Sequence, residues 1–347
     1  MGLTRKAYHQ QSKDGAELQP LLHLHQLSKH FPIRGGVLRR QIGVLKAVDL
    51  VNLSLFPNET VTLVGGAGDG KSILARTTLH LMPSTSGKVL FNGELFTRMG
   101  RAARQLARQQ MQLTMQDPYT SLNPHLRVKD ILAEPLKIHK LGDGRFQAER
   151  IDELLQLVGL NPYFAGRFPH EFSGGQRQRI NIARALATNP LLLVADDPLA
   201  VLDTAVQAPI VALLAELKQK LNLTLLLLVS DLAYVRSISD RIGVLFMGQI
   251  VELTDTESIY ERPLHPYTQY IHSKTQQIDP VDNEHIQPIQ LTGPAPNPTN
   301  PPSGCRFRTQ CPYASEVCQD EVPPLRDLGK PAQPHLIACH HAERFQG

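Results

Sequence analysis

The chain has 347 residues, 41% of them hydrophobic, and a formal net charge of +4. Its length exceeds that of an average domain, so we expect one large unit with an appendage. The small, evenly spread charge gives no argument for nucleic acid as the main partner. The most apolar stretch, Leu221 to Val229, has the length of a buried strand, and no run reaches the length of a membrane span. With no apolar signal core near Met1, the sequence predicts a cytoplasmic protein.

Short apolar runs alternate with helical patterns along the main part of the chain. Strands are predicted at "TVTLVG", "LLLVAD" and "LTLLLLVS". A helix is predicted in "GAGDGKSILARTTLHLM", and another in "AVQAPIVALLAELKQKL" with Pro209 in its first turn. This order predicts an α/β fold whose parallel sheet is covered by helices on both faces. Residues from about 117 to 186 are helix-rich and predict an inserted helical lobe.

The stretch "GGAGDGKS" satisfies the pattern G-x-x-x-x-G-K-[ST] between a predicted strand and a predicted helix. Its glycines, Gly65, Gly68 and Gly70, allow backbone N–H groups to converge on phosphate oxygens, which a helix N-terminus also attracts. Lys71 is predicted to reach the β- and γ-phosphates of ATP, and Ser72 to hold Mg²⁺. The sequence therefore predicts a nucleotide site here.

Two acidic residues bear on that site. Asp196 ends the strand "LLLVAD", at the edge where open α/β sheets bind ligands, and is predicted to support Mg²⁺. Asp69, inside the phosphate loop, places a negative charge close to a polyanion. We expect it to weaken nucleotide binding unless its carboxylate points away.

The segment "FSGGQRQRINIARAL", Phe172 to Leu186, resembles the signature motif of ABC-type ATPases. The resemblance implies a head-to-tail dimer in which this motif contacts the γ-phosphate of ATP held by a second subunit. The residues that it assigns to this contact in trans are Ser173, Gly174, Gly175 and Gln176.

The same resemblance assigns further residues around the nucleotide. It implies that Gln116 approaches the metal and joins the lobes, and that Phe31 stacks on adenine, with a core phenylalanine as the alternative. Ile73 belongs to the phosphate loop where Thr is usual, and Asp203 ends the loop after the Mg²⁺ aspartate.

Four further segments, "DPYTSLNP", "RFPHEFSGGQRQR", "RPLHPYTQ" and "NPPSGCRFRTQCP", resemble the ATPases of oligopeptide and dipeptide importers, the oligopeptide type most closely. The similarity runs from about Leu21 to Cys339. It implies an assembly with a second ABC ATPase subunit, two membrane permeases and an extracytoplasmic peptide-binding protein, on the cytoplasmic face of the bacterial inner membrane. We expect an N-terminal extension at residues 1–20, an ABC ATPase domain at 21–258 and a C-terminal extension at 259–347.

All four cysteines fall in the C-terminal extension, after a Pro- and Asn-rich approach that is predicted to be extended or turning chain. Their spacing lacks the C-x2-C pairs typical of zinc ribbons, and cytoplasmic disulfides are unusual. The family resemblance implies that they hold a 4Fe-4S cluster with a structural role, with zinc and unligated or disulfide-bonded cysteines as alternatives. The proposed ligands are Cys305, Cys311, Cys318 and Cys339.

Two positions depart from active family members. The residue after the Mg²⁺ aspartate is usually Glu and is Asp197 here, and the loop ending the next strand usually carries His and has Ser230. Asp is one methylene shorter, so its carboxylate falls short of a water that must lie within hydrogen-bond reach. Gly66, Ala67 and Ala200 depart from the usual Glu, Ser and Ser as well. The sequence therefore predicts a site that binds Mg-ATP but hydrolyses it poorly, while the signature motif completes the partner's site.

Three functions are considered for a chain with these motifs. The first is an importer ATPase subunit, and the second a nucleotide-binding regulator of the same transporter class that does not hydrolyse ATP. The third, a soluble ABC ATPase of DNA repair or translation, would need a second cassette, a long coiled-coil insertion or zinc motifs, none of which occurs in the sequence. The "HPYTQ" segment and the cysteine-containing tail favour the first.

Overall fold

A computed structural model describes residues 19–35, 40–275, 289–330 and 333–346. The predicted N-terminal extension at residues 1–20 lies almost entirely outside these ranges. In chain order the strands are β1 (Leu22–Gly35), β2 (Arg40–Leu55), β3 (Thr60–Val64), β4 (Ser86–Phe91), β5 (Glu94–Leu95), β6 (Met111–Thr114), β7 (Leu192–Asp196), β8 (Thr224–Val229), β9 (Arg241–Phe246), β10 (Gln249–Asp255), β11 (Arg326–Asp327) and β12 (Leu336–Ile337).

The helices are α1 (Lys71–Thr78), α2 (Arg101–Gln110), α3 (Pro118–Ser121), α4 (Val128–Ile138), α5 (Gly144–Leu157), α6 (Gly174–Leu186), α7 (Thr204–Leu221), α8 (Thr256–Glu261), α9 (Pro266–Thr275) and α10 (Glu316–Asp320). Within the described ranges, no helix combines the length and apolarity that a membrane span requires.

The central sheet has the order β11-β12-β10-β9-β3-β8-β7-β6. Its middle is parallel, since β3 pairs in parallel with β8 and β9, and β7 with β6 and β8. The predicted α/β fold is confirmed. Strand β10 runs antiparallel to β9 and pairs with β12, so the C-terminal part of the chain extends the same sheet.

The parallel strands are buried on both faces, which is why they read as continuous apolar runs. Along β8, Leu226 and Leu228 pack into one hydrophobic cluster, whereas Leu225 and Leu227 pack into a second cluster on the opposite face. The second cluster includes residues of α4 to α7. The first includes α1 and the four-stranded antiparallel sheet β2-β1-β4-β5. Helices cover both faces as predicted, and one face is also covered by a sheet that was not predicted.

The predicted helical lobe contains α3, α4, α5 and α6. In α7 the position of Pro209 was predicted wrongly: it is the sixth residue of the helix and lies past the first turn. A proline there has no N–H to donate to the carbonyl one turn earlier. The boundary between ATPase domain and extension at residue 258 stays a prediction.

Candidate functional site

A cavity of about 360 Å³ opens at the carboxyl ends of the parallel strands. Its described lining residues include eight that were predicted from the sequence: Gly68, Gly70, Lys71, Ser72, Ile73, Gln116, Asp197 and Ser230. They come from the phosphate loop, the start of α1, and the ends of β6, β7 and β8. The parallel topology brings these distant segments to one edge, as expected for a ligand site in an open α/β sheet.

The conformation of the phosphate loop requires glycine at two positions. Gly68 has φ 89° and Gly70 has φ 95°, both in the left-handed region that side chains avoid. At Gly70 an added Cβ would lie 1.9 Å from the carbonyl oxygen of Ala47. Gly70 also caps α1, whose first N–H groups therefore face the cavity. This arrangement can bind an anion at the helix N-terminus.

Lys71 is 7% exposed and lies within its own loop. Its Nζ donates to the carbonyl oxygens of Gly65 at 2.7 Å and Gly66 at 3.0 Å, and lies 3.9 Å from Oδ2 of Asp197. Burial lowers the pKa of Lys71, an effect that the nearby acidic residues oppose. A desolvated ammonium group at this point is well placed to contact phosphate oxygens.

Ser72 and Asp196 meet at the same end of the cavity. The Ser72 hydroxyl donates to Oδ1 of Asp196 at 2.8 Å. Asp196 is 2% exposed, and burial raises the pKa of its carboxyl. Mg²⁺ in nucleotide sites takes one or two protein oxygens together with phosphate oxygens and water. The oxygen pair of Ser72 and Asp196 fits that requirement.

Asp69 does not line the described cavity, because its carboxylate is held on the other side of the phosphate loop. It accepts hydrogen bonds from the amides of Gly66 at 2.6 Å and Met247 at 2.9 Å, and from the Tyr267 hydroxyl at 2.8 Å. Burial nevertheless raises its pKa. The carboxylate points away from the phosphate position, which is the condition under which the sequence predicted no loss of nucleotide affinity.

Tyr267 is a functional residue that sequence reasoning missed. It belongs to "HPYTQ", which carried the family resemblance without a role for any single residue. Its hydroxyl also lies 3.2 Å from the Gly66 amide, so α9 directly contacts the phosphate loop. The contact joins residues about 200 positions apart, and the only signal for it was the motif itself.

Asp197 and Ser230 form a pair. The Ser230 hydroxyl donates a short hydrogen bond to the Asp197 carboxylate. Asp197 is 3% exposed and has a left-handed backbone with φ 43°, and burial raises its pKa. The two residues that depart from the family pattern therefore contact each other, and the serine holds the carboxylate at the wall of the cavity.

The adenine-stacking role of Phe31 stays a prediction. Phe31 pairs with Leu45 across β1 and β2, and Lys29 Nζ lies 5.1 Å from the centre of its ring. Leu45 lines the cavity, whereas Phe31 is not among the described lining residues.

The signature motif lies outside the described cavity lining. Ser173 is exposed and caps α6, where its side chain accepts from the Gln176 amide at 3.4 Å and Gln176 Oε1 accepts from the Ser173 amide at 3.1 Å. An added Cβ would lie 2.9 Å from Tyr119 at Gly174 and 2.5 Å from Val206 at Gly175. Asp203 is exposed before α7. These residues form a surface motif, and their action in trans stays a prediction.

The four cysteines are free thiols that lie near one another. The Cys305 amide donates to the Cys318 carbonyl oxygen at 2.8 Å, and the thiol of Cys339 interacts electrostatically with the other three. Burial raises the pKa of Cys305 to about 11 and that of Cys339 to about 12. In the described ranges no three His, Cys, Asp or Glu side chains are arranged to hold a metal ion. The arrangement of the described side chains therefore gives no support for the predicted 4Fe-4S ligand set.

Comparison with known proteins finds two family matches along the chain. Residues 48–200 match the family described as ABC transporter, and residues 251–318 match the oligopeptide/dipeptide transporter C-terminal region. The oligopeptide transport ATP-binding protein AppF of Bacillus subtilis is 43% identical over 94% of this chain and 98% of its own length. The putative oligopeptide transport ATP-binding protein YkfD of the same organism is 43% identical over 92% of this chain and 95% of its own.

Solved structures agree with this assignment. The dimeric ATP-binding cassette MJ0796, in a post-hydrolysis state bound to ADP and Pi, has a TM-score of 0.59 and 26% identity. The match covers 68% of this chain and 98% of that chain. On the combined evidence, the chain belongs to the ABC transporter ATP-binding proteins that carry the oligopeptide/dipeptide transporter C-terminal region.

Proposed function

We propose that this chain is the ATP-binding subunit of an ABC importer of peptides, oligopeptides first, and that its own site binds Mg-ATP tightly but hydrolyses it slowly. The transport role is supported by its similarity to oligopeptide transport ATP-binding proteins. The single observation that carries the proposal is the difference within one cavity: Lys71, Ser72 and Asp196 keep the arrangement for binding, whereas Asp197 is held by Ser230.

Binding uses the phosphate loop and the start of α1. Lys71 exchanges its bonds to Gly65 and Gly66 for the β- and γ-phosphates, while the N–H groups of α1 receive the same phosphates. Ser72 and Asp196 would hold Mg²⁺, with Gln116 approaching from β6. Mg²⁺ held there would offset the negative charge of the phosphates.

Hydrolysis requires a carboxylate that orients the attacking water. Asp197 is one methylene shorter than glutamate, and the Ser230 hydroxyl occupies one of its oxygens. A misplacement of about 1 Å can cost on the order of 100-fold in rate. Serine also lacks the imidazole that could reach the γ-phosphate. These losses support slow turnover at this site.

The signature motif supports a role at a second site. Ser173, Gly174, Gly175 and Gln176 are presented at the exposed start of α6, and we infer that they close on ATP held by a second ABC ATPase subunit. The dimeric structure of the similar cassette MJ0796 agrees with this arrangement. The complete importer would contain two permeases and an extracytoplasmic peptide-binding protein, with this chain peripheral on the cytoplasmic side of the bacterial inner membrane.

A second candidate is a regulator that binds ATP and never hydrolyses it within the same transporter class. The Asp197 and Ser230 pair favours it. The test is ATP consumption by the complex assembled with permeases and the second ATPase, with and without the peptide-loaded binding protein. The importer role predicts consumption that rises with peptide. Association that depends on ATP, without turnover under any condition, would establish the regulator instead.

An iron–sulfur cluster in the C-terminal extension stays a prediction. Four thiols in one compact segment have suitable donor chemistry, although the described side chains do not form a metal-binding group. Purification without oxygen, followed by assays for iron, zinc and acid-labile sulfide, tests it. About four irons and four sulfides per chain would establish the cluster.

A further inference from the structure

The C-terminal extension supplies part of the nucleotide cavity. Pro298, Pro301 and Arg306 line the same space as Lys71 and Asp197. They belong to the Pro- and Asn-rich stretch and to the segment around Cys305. The sequence predicted only extended or turning chain for the first and a metal ligand in the second. The cavity is therefore built from both the ATPase core and this later segment.

Strand β2 shows where along the cavity this segment lies. Ala47 marks the phosphate end, because its carbonyl oxygen contacts the backbone at Gly70. Four residues earlier, a Cβ at Gly43 would lie 3.6 Å from the carbonyl oxygen of Thr299. Four residues of extended strand span about 13 Å. Thr299 and the neighbouring prolines therefore flank the end of the cavity remote from the phosphate loop, where the nucleoside of a bound nucleotide must project.

Arg306 anchors the other end of this segment. Its guanidinium group donates to the carboxylate of Asp49 and to the carbonyl oxygen of Met247. Asp49 is 6% exposed and also lies 2.9 Å from His30 Nε2. A planar guanidinium with two fixed acceptors holds a chain segment in one orientation better than a lysine ammonium would. The segment thus runs along one side of the cavity, tied down beside the phosphate end.

We propose that Pro298 and Pro301 form a wall against the nucleoside of bound ATP, and that Arg306 is the positioning residue that holds this wall in place. The inference rests on the proposed function, since it assumes that ATP occupies the cavity. Proline rings offer rigid apolar surface that loses little conformational freedom on contact with a base. The described lining includes no aromatic side chain, and the two prolines add rigid apolar surface to that of Leu45, Ile73 and Met247.

The wall would contact the nucleoside of ATP, whereas the phosphate loop would contact its triphosphate. ATP affinity depends on both the phosphate loop and the wall, whereas the affinity for inorganic tripolyphosphate depends on the loop alone. The test measures binding of both ligands, with Mg²⁺, to the full chain by calorimetry. The variants are P298A/P301A, Arg306→Lys, K71A, and the matched control Pro302→Ala, since Pro302 lies in the same segment and outside the described lining.

The double proline variant is expected to bind ATP about three- to tenfold more weakly, through lost apolar contact, with tripolyphosphate affinity unchanged. Arg306→Lys is expected to weaken ATP binding in the same selective way. Pro302→Ala should match the unmodified chain for both ligands, and unchanged tripolyphosphate binding shows that a variant is folded.

Other results would contradict the wall or the proposed function. ATP affinity of P298A/P301A equal to that of Pro302→Ala would overturn the wall while leaving the proposed function intact. Equal losses for ATP and tripolyphosphate would also overturn it, because the segment would then act on the phosphate loop. If the unmodified chain bound ATP no better than K71A does, the proposed function would fail and the wall with it.

Discussion

The two sides of the nucleotide cavity differ in what they retain. On one side, the phosphate loop keeps the glycines, the buried Lys71 and the Ser72 hydroxyl that nucleotide binding requires. On the other, the strand ends carry Asp197 and Ser230 in contact with each other. ATP binding and ATP hydrolysis depend on different elements of the cavity. One chain can therefore keep the residues for binding while the residues for hydrolysis are replaced.

The two sides also differ in how they are supported. The phosphate loop is held from behind by Asp69, which is bonded to Gly66, Met247 and Tyr267. Asp197 is held by the Ser230 hydroxyl, lies 3.9 Å from Lys71 Nζ and has a left-handed backbone. The phosphate loop is therefore supported by the C-terminal extension, whereas Asp197 is supported by residues of the cavity wall itself.

The largest expected effect comes from Lys71→Ala. Removing an ammonium group that makes two charge-assisted bonds to phosphates is expected to lower Mg-ATP affinity by at least about 100-fold. Calorimetry on the purified chain measures this, with Lys88→Ala on the exposed part of β4 as the matched control. An affinity within threefold of the control would show that the phosphate loop does not bind the nucleotide through Lys71.

A smaller effect is expected from Tyr267→Phe. The change removes one hydroxyl that donates to Asp69 and leaves a buried carboxylate with one donor fewer, which costs about 1–3 kcal/mol. We expect a lower thermal unfolding temperature and ATP affinity about three- to tenfold weaker. Tyr270→Phe, on the same helix, is the control. Unchanged affinity and stability would mean that the extension does not support the loop.

The smallest effect, confined to acid, comes from His265. Its Nδ1 accepts from the Tyr267 amide at 3.0 Å, and burial lowers its pKa to about 4. The unfolded chain gains this proton below about pH 6.5, whereas the folded chain does not until about pH 4. Its contribution to stability is therefore complete above pH 6.5 and is lost as the pH falls through that window.

His265→Asn keeps an acceptor for the amide two residues later and removes the titrating group. The variant is expected to lose less stability than the unmodified chain between pH 6.5 and 4, with ATP affinity at pH 7 unchanged. Denaturant unfolding at several pH values measures the difference. Parallel pH profiles for the two proteins would contradict the assignment.

The sequence was sufficient for the parallel sheet, the phosphate loop and the family, because apolar runs and a fixed loop pattern express them locally. It did not predict the antiparallel sheet, since irregular register between β1 and β2 breaks the alternation that marks a strand. The contacts of Tyr267 with the phosphate loop and of Arg306 with Asp49 could not be predicted either. They join residues 201 and 257 positions apart, and no local pattern encodes which segments the fold brings together.

The central claim is that Asp197 and Ser230 limit ATP hydrolysis at this chain's site. Its most direct test is the ATP turnover of the double variant Asp197→Glu with Ser230→His. The variant is measured in the assembled importer, with the ATP site of the partner ATPase inactivated. ATP consumption in that complex reports this chain's site alone. The account predicts a rise of about 10- to 100-fold over the unmodified chain, with ATP affinity unchanged. A rate that stays equal, with both complexes intact, would show that Asp197 and Ser230 do not limit hydrolysis.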